Sequence, residues 1–531
     1  MATCWKNLAV IEQIYKIFLL GALIALGVSG CAALPENFDK PVSRSFVDTE
    51  NTLLGKSWRD ATGRAPGSSA FLLLNDGLDA FVARAVLAQV AEKSIDTQYY
   101  MIHSDHVGTL FVHELWKAAE RGVRVRVLLD DIDEGDRDLN IRLFDMHPNI
   151  EVRIFNPFGR NVGRVWQYLT GFGKQTRRSH NKSFTVDSEA TILGGRNIGD
   201  EYFSRNPELD FQDLDVLAMG PVAKEVSYSF DQYWNSVLSY PISALVDIPE
   251  SDASIEQYRL QISQQLSQYA DSAYLKRLEN SNLAREIRAG MLHWEWALGT
   301  VIADPPEKLV HKVDEQQYQM ISKLIPYLDK TQKELIILSP YFVPGKAGVE
   351  YLTQLRKRGV RVRILTNSLA STDVSIVHAG YARYRKQLLR AGVELHELNM
   401  HTTKEERKAV REAHLGSSKS SLHAKAFIID RSVVFIGSMN FDPRSIKQNT
   451  EIGVVIQSPA IGEEIATAYD KNIDQVAFRL DLNIDDDGRE ELVWYGQQGS
   501  ETIKFTYEPY TGFWRRLGVA LARLLPIESQ I

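Results

Sequence analysis

The chain carries one constellation twice. His180, Lys182, Asp187, Gly194, Gly195 and Asn197 return in the same order and at the same spacing as His423, Lys425, Asp430, Gly437, Ser438 and Asn440, so that both copies read HxKxxxxDxxxxxxG[GS]xN. The duplication extends beyond these letters. Arg121-Gly-Val-Arg-Val-Arg-Val-Leu recurs as Arg358-Gly-Val-Arg-Val-Arg-Ile-Leu, each after a helical pattern and each reading as a buried strand behind a tight turn. Residues 95–100 match 335–342, 72–76 match 301–304, and 151–155 match 393–398. Strands alternating with helices, repeated in this way, predict an α/β protein of two homologous lobes. Each lobe has helices covering a largely parallel sheet, and a pseudo-twofold brings the two motifs together at the interface.

That interface has a definite chemistry. Alternate side chains of a strand share a face, so His180 and Lys182 project together, as do His423 and Lys425. Apolar runs at 184–186 and 426–429 suit buried strands, and the small residues before Asn197 and Asn440 let those amides approach a ligand. Two such faces opposed make a cationic pocket suited to a phosphodiester. Lys and Asn hold the non-bridging oxygens, one His attacks phosphorus, and the other protonates the leaving alcohol. A covalent phosphohistidine follows from that division of labour. A nucleophilic imidazole needs a carboxylate to fix its tautomer, and each motif has one downstream: Asp213, with Asp215 as a rival, for the first, and Glu451 for the second. The residues alone leave open which histidine attacks.

Composition narrows the partner. With 61 Lys and Arg against 68 Asp and Glu the formal charge is −7, whereas a protein built to grip a nucleic-acid backbone shows a basic excess. A nucleic-acid phosphodiesterase is therefore the lesser reading of the same chemistry, and no nucleic-acid partner is expected. Cys4 and Cys31 are the only cysteines, so no disulfide framework supports the fold. Lys6 and Lys16 precede an apolar run at 17–28, which is short for a bilayer span and suits a signal peptide. Val28-Ser-Gly-Cys31 closes the run and resembles a bacterial lipobox. On that reading Cys31 is the lipidated first residue of the mature chain, anchored in a bacterial membrane and facing the periplasm, and Ala32 resembles the signal for outer-membrane delivery. An uncleaved anchor helix over 8–28, interrupted by Glu12 and Lys16, is the competing reading. Oligomeric state is left open.

The double motif resembles that of the phospholipase D superfamily, which implies a metal-independent, cofactor-free mechanism through a phosphohistidine. The resemblance places His180, Lys182, Asp187, His423, Lys425 and Asp430 in the catalytic motifs, with Asp187 and Asp430 mainly structural partners. By the family's usual order His180 is the nucleophile and His423 the acid. Longer strings are similar to the bacterial C-type cardiolipin synthases, from about residue 40 onward: Arg178-Ser-His-Asn-Lys-Ser-Phe, Gly194-Gly-Arg-Asn-Ile-Gly-Asp-Glu-Tyr-Phe, Asn367-Ser-Leu-Ala-Ser-Thr-Asp and His378-Ala-Gly-Tyr-Ala-Arg-Tyr-Arg. This implies a membrane-associated phosphatidyltransferase on phospholipid, making cardiolipin from phosphatidylglycerol and a second phospholipid. With water as acceptor the same site is a phospholipase D releasing phosphatidic acid.

The expected domains are a signal peptide at 1–30, an extension at 31–68, phospholipase D-like lobes at 69–240 and 299–478 around a helical connector at 241–298, and a hairpin with an amphipathic helix at 479–531. Five lesser features have competing readings. Aromatic and basic residues interleave over 160–178, suiting either an anionic lipid surface or a packed helical insert. The terminal helix, 513–525, sets Trp514, Leu517, Leu521 and Leu524 on one stripe, for which core packing is the commoner fate and a membrane interface the alternative. The run Asp481 to Gly488 has Asp486 where a calcium loop needs Gly, and reads as a surface turn. Lys419, in a flexible stretch before the second motif, reads by default as solvated loop and alternatively as a lid, and His103, His106 and His378 near strand ends read as structural rather than pocket-lining.

Overall fold

The computed structural model describes residues 34, 35, 40–61, 65–133, 137–160, 163, 164, 167, 175–205, 210–248, 252–267, 273–399, 420–484, 487–498 and 501–525. The signal-peptide region, Cys31, most of 160–174 and Lys419 lie outside these. In the first half, strands run β1 (Ser69–Leu74), β2 (Ser94–Tyr99), β3 (Arg124–Asp130), β4 (Ile150–Phe155), β5 (Ser183–Val186), β6 (Ala190–Gly194), β7 (Asp210–Gln212), β8 (Asp215–Met219) and β9 (Ser239–Pro241). The second half has β10 (Glu295–Ala303), β11 (Glu334–Leu338), β12 (Arg361–Asn367), β13 (Glu394–Leu398), β14 (Ser420–Leu422), β15 (Ala426–Ile429), β16 (Val433–Gly437) and β17 (Ile452–Gln457). It closes with β18 (Ala477–Ile484), β19 (Glu490–Gln498) and β20 (Glu501–Phe505).

The strand pairings make one mixed sheet. Its first half runs β9-β4-β3-β2-β5-β6-β8-β1, and its second half runs β10-β17-β16-β15-β11-β12-β13-β18-β19-β20. Strand for strand, the order from β4 to β1 repeats from β13 to β10. The two halves join where β1 pairs antiparallel with its own counterpart β10. Register makes the relation exact to the residue. Gly194 faces Asp215 and Asp215 faces Leu74, just as Gly437 faces Gly453 and Gly453 faces Ile302. Ser69 and Ala297, equally far before Leu74 and Ile302, face each other. Antiparallel pairing of equivalent residues is what a local twofold produces. β10 opens at Glu295, so the second-lobe strand begins ahead of residue 299.

Local chemistry explains the elements. Gly122 (φ 92°) and Gly359 (φ 86°) take the left-handed turn that feeds the two RVRV strands. Asp76, Asp105 and Ser458 cap helices Gly77–Val90, His106–Glu120 and Pro459–Val476 by accepting backbone N–H groups. Arg126 of β3 and Arg363 of β12 are buried and paired: Arg126 with Asp96 at 2.7 Å and Asp231 at 2.9 Å, Arg363 with Glu334 at 2.8 Å and with Asp470. Each lobe has its own apolar core. A third cluster, including Phe71, Leu193, Val216, Ala297, Ile336, Val434 and Val454, is drawn from both halves and locks them together. In the tail, β18, β19 and β20 extend the sheet beyond β13. The terminal helix (Phe513–Ala522) also departs from the packed expectation, since Val519 is its only buried residue. Among the described residues no helix is long and apolar enough to cross a membrane.

Candidate active site

Both histidines sit where the two halves exchange backbone. β14, leading to His423, runs parallel to β7, leading to Asp213, and the N–H groups of His423 and Ala424 both donate to the Gln212 carbonyl. The mirror arrangement holds at the other motif. The His180 N–H donates to the Thr450 carbonyl at 2.9 Å, and the Thr450 N–H to that of Arg178 at 3.0 Å. Each histidine therefore travels beside the carboxylate-bearing strand of the opposite half.

This crossing corrects the sequence-based pairing. His180 Nδ1 lies 2.9 Å from Glu451 Oε2, and His423 Nδ1 lies 2.5 Å from Asp213 Oδ2. Asp213 belongs to the second motif's histidine and Glu451 to the first. Asp215, the rival, is occupied elsewhere, by Arg84 at 2.7 Å and Arg196 at 3.4 Å. With Nδ1–H donating to a carboxylate, each imidazole keeps Nε2 for chemistry. Lys425 Nζ also stands 3.0 Å from His423 Nδ1, but Asp213 is nearer and anionic and has the stronger claim on that nitrogen.

The charges are unequal. Burial, then the Lys182 and Lys425 ammoniums, push His180 well below the ordinary imidazole range. His423 is lowered by burial and Lys425, with Asp213 working the other way. Burial lifts the Glu451 carboxyl to about 7 despite Lys182 nearby. Burial works against Asp213 too, yet Lys425 and His423 hold it below the ordinary carboxyl value. Both lysines are lowered by burial, Lys182 strongly. Each rests on the carbonyl of its own motif's histidine, Lys182 at 2.7 Å from that of His180.

Asn197 donates to the Tyr202 hydroxyl at 2.9 Å and Asn440 to Ser445 Oγ at 3.4 Å, so each retains an N–H beyond that bond. Asp187 and Asp430 stand apart from the histidines. Asp187 (φ 52°) accepts from the N–H groups of Glu92, Lys93 and Ser94, and Asp430 (φ 48°) from those of Gln332, Lys333 and Glu334. Their carboxylates pin the β5–β6 and β15–β16 turns to the starts of β2 and β11. His103 pairs with Glu201 at 3.2 Å, His106 accepts from Arg205, and His378 is buried against Glu508.

Several positioning residues escaped the sequence reading. Asp130, ending β3, binds Arg178 at 2.7 Å and the Ser179 N–H at 2.8 Å, and Asn367, ending β12, accepts from the Leu422 N–H at 2.9 Å. Each grips the chain one residue before a histidine. Tyr100 packs edge-on against His180 at 4.9 Å, and Tyr202 against His423 at 5.2 Å. Their positions at or just beyond strand C-termini, where open α/β sheets present ligand-facing residues, are the signal that identifies Asp130, Asn367 and Tyr100.

Comparison with known proteins agrees with this geometry. A family model described as "Cardiolipin synthase, PLD-like domain" matches residues 86–234 and 324–477, one stretch in each half. The chain belongs to this phospholipase D-like cardiolipin synthase family of enzymes. It is 42% identical over 467 residues, 87% of this chain and 96% of the relative, to the cardiolipin synthase C of Escherichia coli K12. An uncharacterised protein of Helicobacter pylori 26695 is 33% identical over 96% of this chain and 99% of its own length. The phosphatidylserine synthase structure from Haemophilus influenzae Rd KW20 superposes with a TM-score of 0.55 at 11% identity, covering 90% of this chain and all of that one, which shows a shared fold.

Proposed function

We propose that the protein transfers a phosphatidyl group onto the glycerol headgroup of phosphatidylglycerol, taking it from phosphatidylglycerol or another phospholipid and yielding cardiolipin. The observation that carries this is the pair of histidines, each backed by the opposite half's carboxylate around shared lysines, in a chain so similar to a cardiolipin synthase. His180, held neutral, is the nucleophile. Its Nε2 forms a bond to phosphorus as the bond to the headgroup oxygen breaks, and His423, partnered by anionic Asp213, gives that oxygen its proton. The acceptor hydroxyl then loses its proton to His423 and attacks phosphorus, and the P–N bond breaks. Lys182, Lys425, Asn197 and Asn440 stabilise the non-bridging oxygens. The phosphohistidine conserves the diester's energy, so no nucleotide is needed.

Water as acceptor turns the same steps into a phospholipase D reaction. Incubation with labelled phosphatidylglycerol separates the outcomes. Cardiolipin and glycerol are expected; phosphatidic acid instead makes the protein a lipase, and nicked DNA with no lipid product overturns both readings. The lipobox-like sequence supports a mature chain anchored through lipidated Cys31 on the periplasmic side of a bacterial membrane. Mass spectrometry of the mature N-terminus should find a diacylglycerol-modified Cys31; an intact Met1 refutes the anchor.

A further inference from the structure

The terminal helix (Phe513–Ala522) is inside out. Val519 alone is buried, against Leu369 and Ala379. At about 100° per residue, Phe513, Trp514, Leu517 and Leu521, with Leu524 and Leu525 just beyond, fall on an arc of about 120° centred roughly opposite Val519. They are correspondingly exposed: Trp514 by 80%, Phe513 by 62%, Leu521 by 58% and Leu524 by 80%. A helix that merely covers a soluble lobe turns its apolar stripe inward; this one holds it at solvent. Its arginines fall within about 60° of Val519, on the side that meets the body. Arg515 donates to Ser375 Oγ at 3.1 Å and to the Thr372 carbonyl at 2.8 Å, and Arg516 stacks over Tyr507.

The anchor point adjoins a residue linked to the active site. Thr372 precedes Asp373, whose carboxylate accepts from the Tyr341 hydroxyl at 2.7 Å and acts electrostatically on Lys425 and Tyr202. The exposed stripe is thus braced to the loop at the edge of the catalytic pocket.

We propose that this helix is an interfacial docking element, laying its Phe513, Trp514, Leu517, Leu521 and Leu524 edge into the headgroup boundary of a phospholipid bilayer. There the pocket opens to bilayer substrate. The occupant is a membrane because the reaction proposed above draws its substrates from one, and because an exposed Phe513 and Trp514 beside leucines match the aromatic and apolar character of a headgroup interface. The inference rests on that phospholipid reading, but its test does not.

In full-length protein with Cys4→Ser and Cys31→Ser, Trp514→Cys is labelled with an environment-sensitive fluorophore and mixed with phosphatidylglycerol–phosphatidylethanolamine vesicles. A blue shift is expected, and is lost when Leu521→Asp and Leu524→Asp are added. In otherwise native protein, Leu521→Asp with Leu524→Asp should lower turnover of vesicle-borne phosphatidylglycerol about tenfold while leaving turnover of a monomeric short-chain analogue unchanged. Docking without any lipid product refutes the transferase and leaves the docking helix standing. No shift on vesicles overturns it. So does a shift that grows with protein concentration in the absence of lipid, which assigns the face to a second copy. A label already blue-shifted in dilute lipid-free protein overturns it as well, since part of this chain then covers the stripe.

Discussion

Glu451 and Asp213 occupy equivalent places in the two halves, yet one is held near neutrality and the other is held charged. The difference is local: Asp213 has Lys425 and His423 close by, whereas burial dominates at Glu451, raising it to about 7. A carboxyl raised on folding binds its proton more tightly in the folded chain. Its stabilising contribution is present below the ordinary value of 4.5 and is lost as pH rises through about 7. Glu451→Gln should therefore raise Tm in calorimetry at about pH 8, where the buried charge is removed, and give no gain at about pH 4. Phosphatidyl transfer should fall on the order of 10²–10⁴-fold, and the acid limb of kcat/KM near pH 7 should vanish. The identities of Glu451 and Asp213 were legible in the sequence from their position after each motif. Their charge states were not, because burial and neighbouring ammoniums set them.

At the scale of the element, the motif's Asp is a turn residue. Asp187 and Asp430 adopt left-handed backbone and accept three N–H groups each, fastening a catalytic hairpin to the strand beside it. Asp187→Ala should lower stability by about 1–3 kcal/mol in urea titration, through unpaired N–H groups and the strained φ, while the residual folded enzyme still forms a phosphoenzyme. Loss of the phosphoenzyme in folded Asp187→Ala would give that carboxylate a chemical role. Periodicity located the strands on either side of this turn, since alternation and apolar runs are local properties. The terminal helix shows where periodicity stops: its apolar stripe was plain in the letters, but whether the stripe meets core or solvent depends on which face Val519 and Arg515 tie down.

Across the whole molecule, the crossing of carboxylates makes the site a joint product of both halves. It also separates the two chemical steps by variant. With a donor bearing a good leaving group, His180→Ala should abolish the radiolabelled phosphoenzyme and Glu451→Gln should slow its formation. His423→Ala and Asp213→Asn should form it and then stall, because the general base for the second step is lost or misoriented. If Asp213→Asn behaves like His180→Ala, the carboxylates serve their own motifs in solution and the crossed arrangement fails. The sequence by itself determined that there are two lobes, one phosphodiester chemistry and a fixed set of histidines, lysines, asparagines and carboxylates, because repeats and spacings are written along the chain. Only the tertiary structure decided which carboxylate holds which histidine and which way the last helix faces. Both depend on backbone pairings and packing between segments hundreds of residues apart, β7 on β14 and Ser179 beside Thr450, for which local spacing carries no signal.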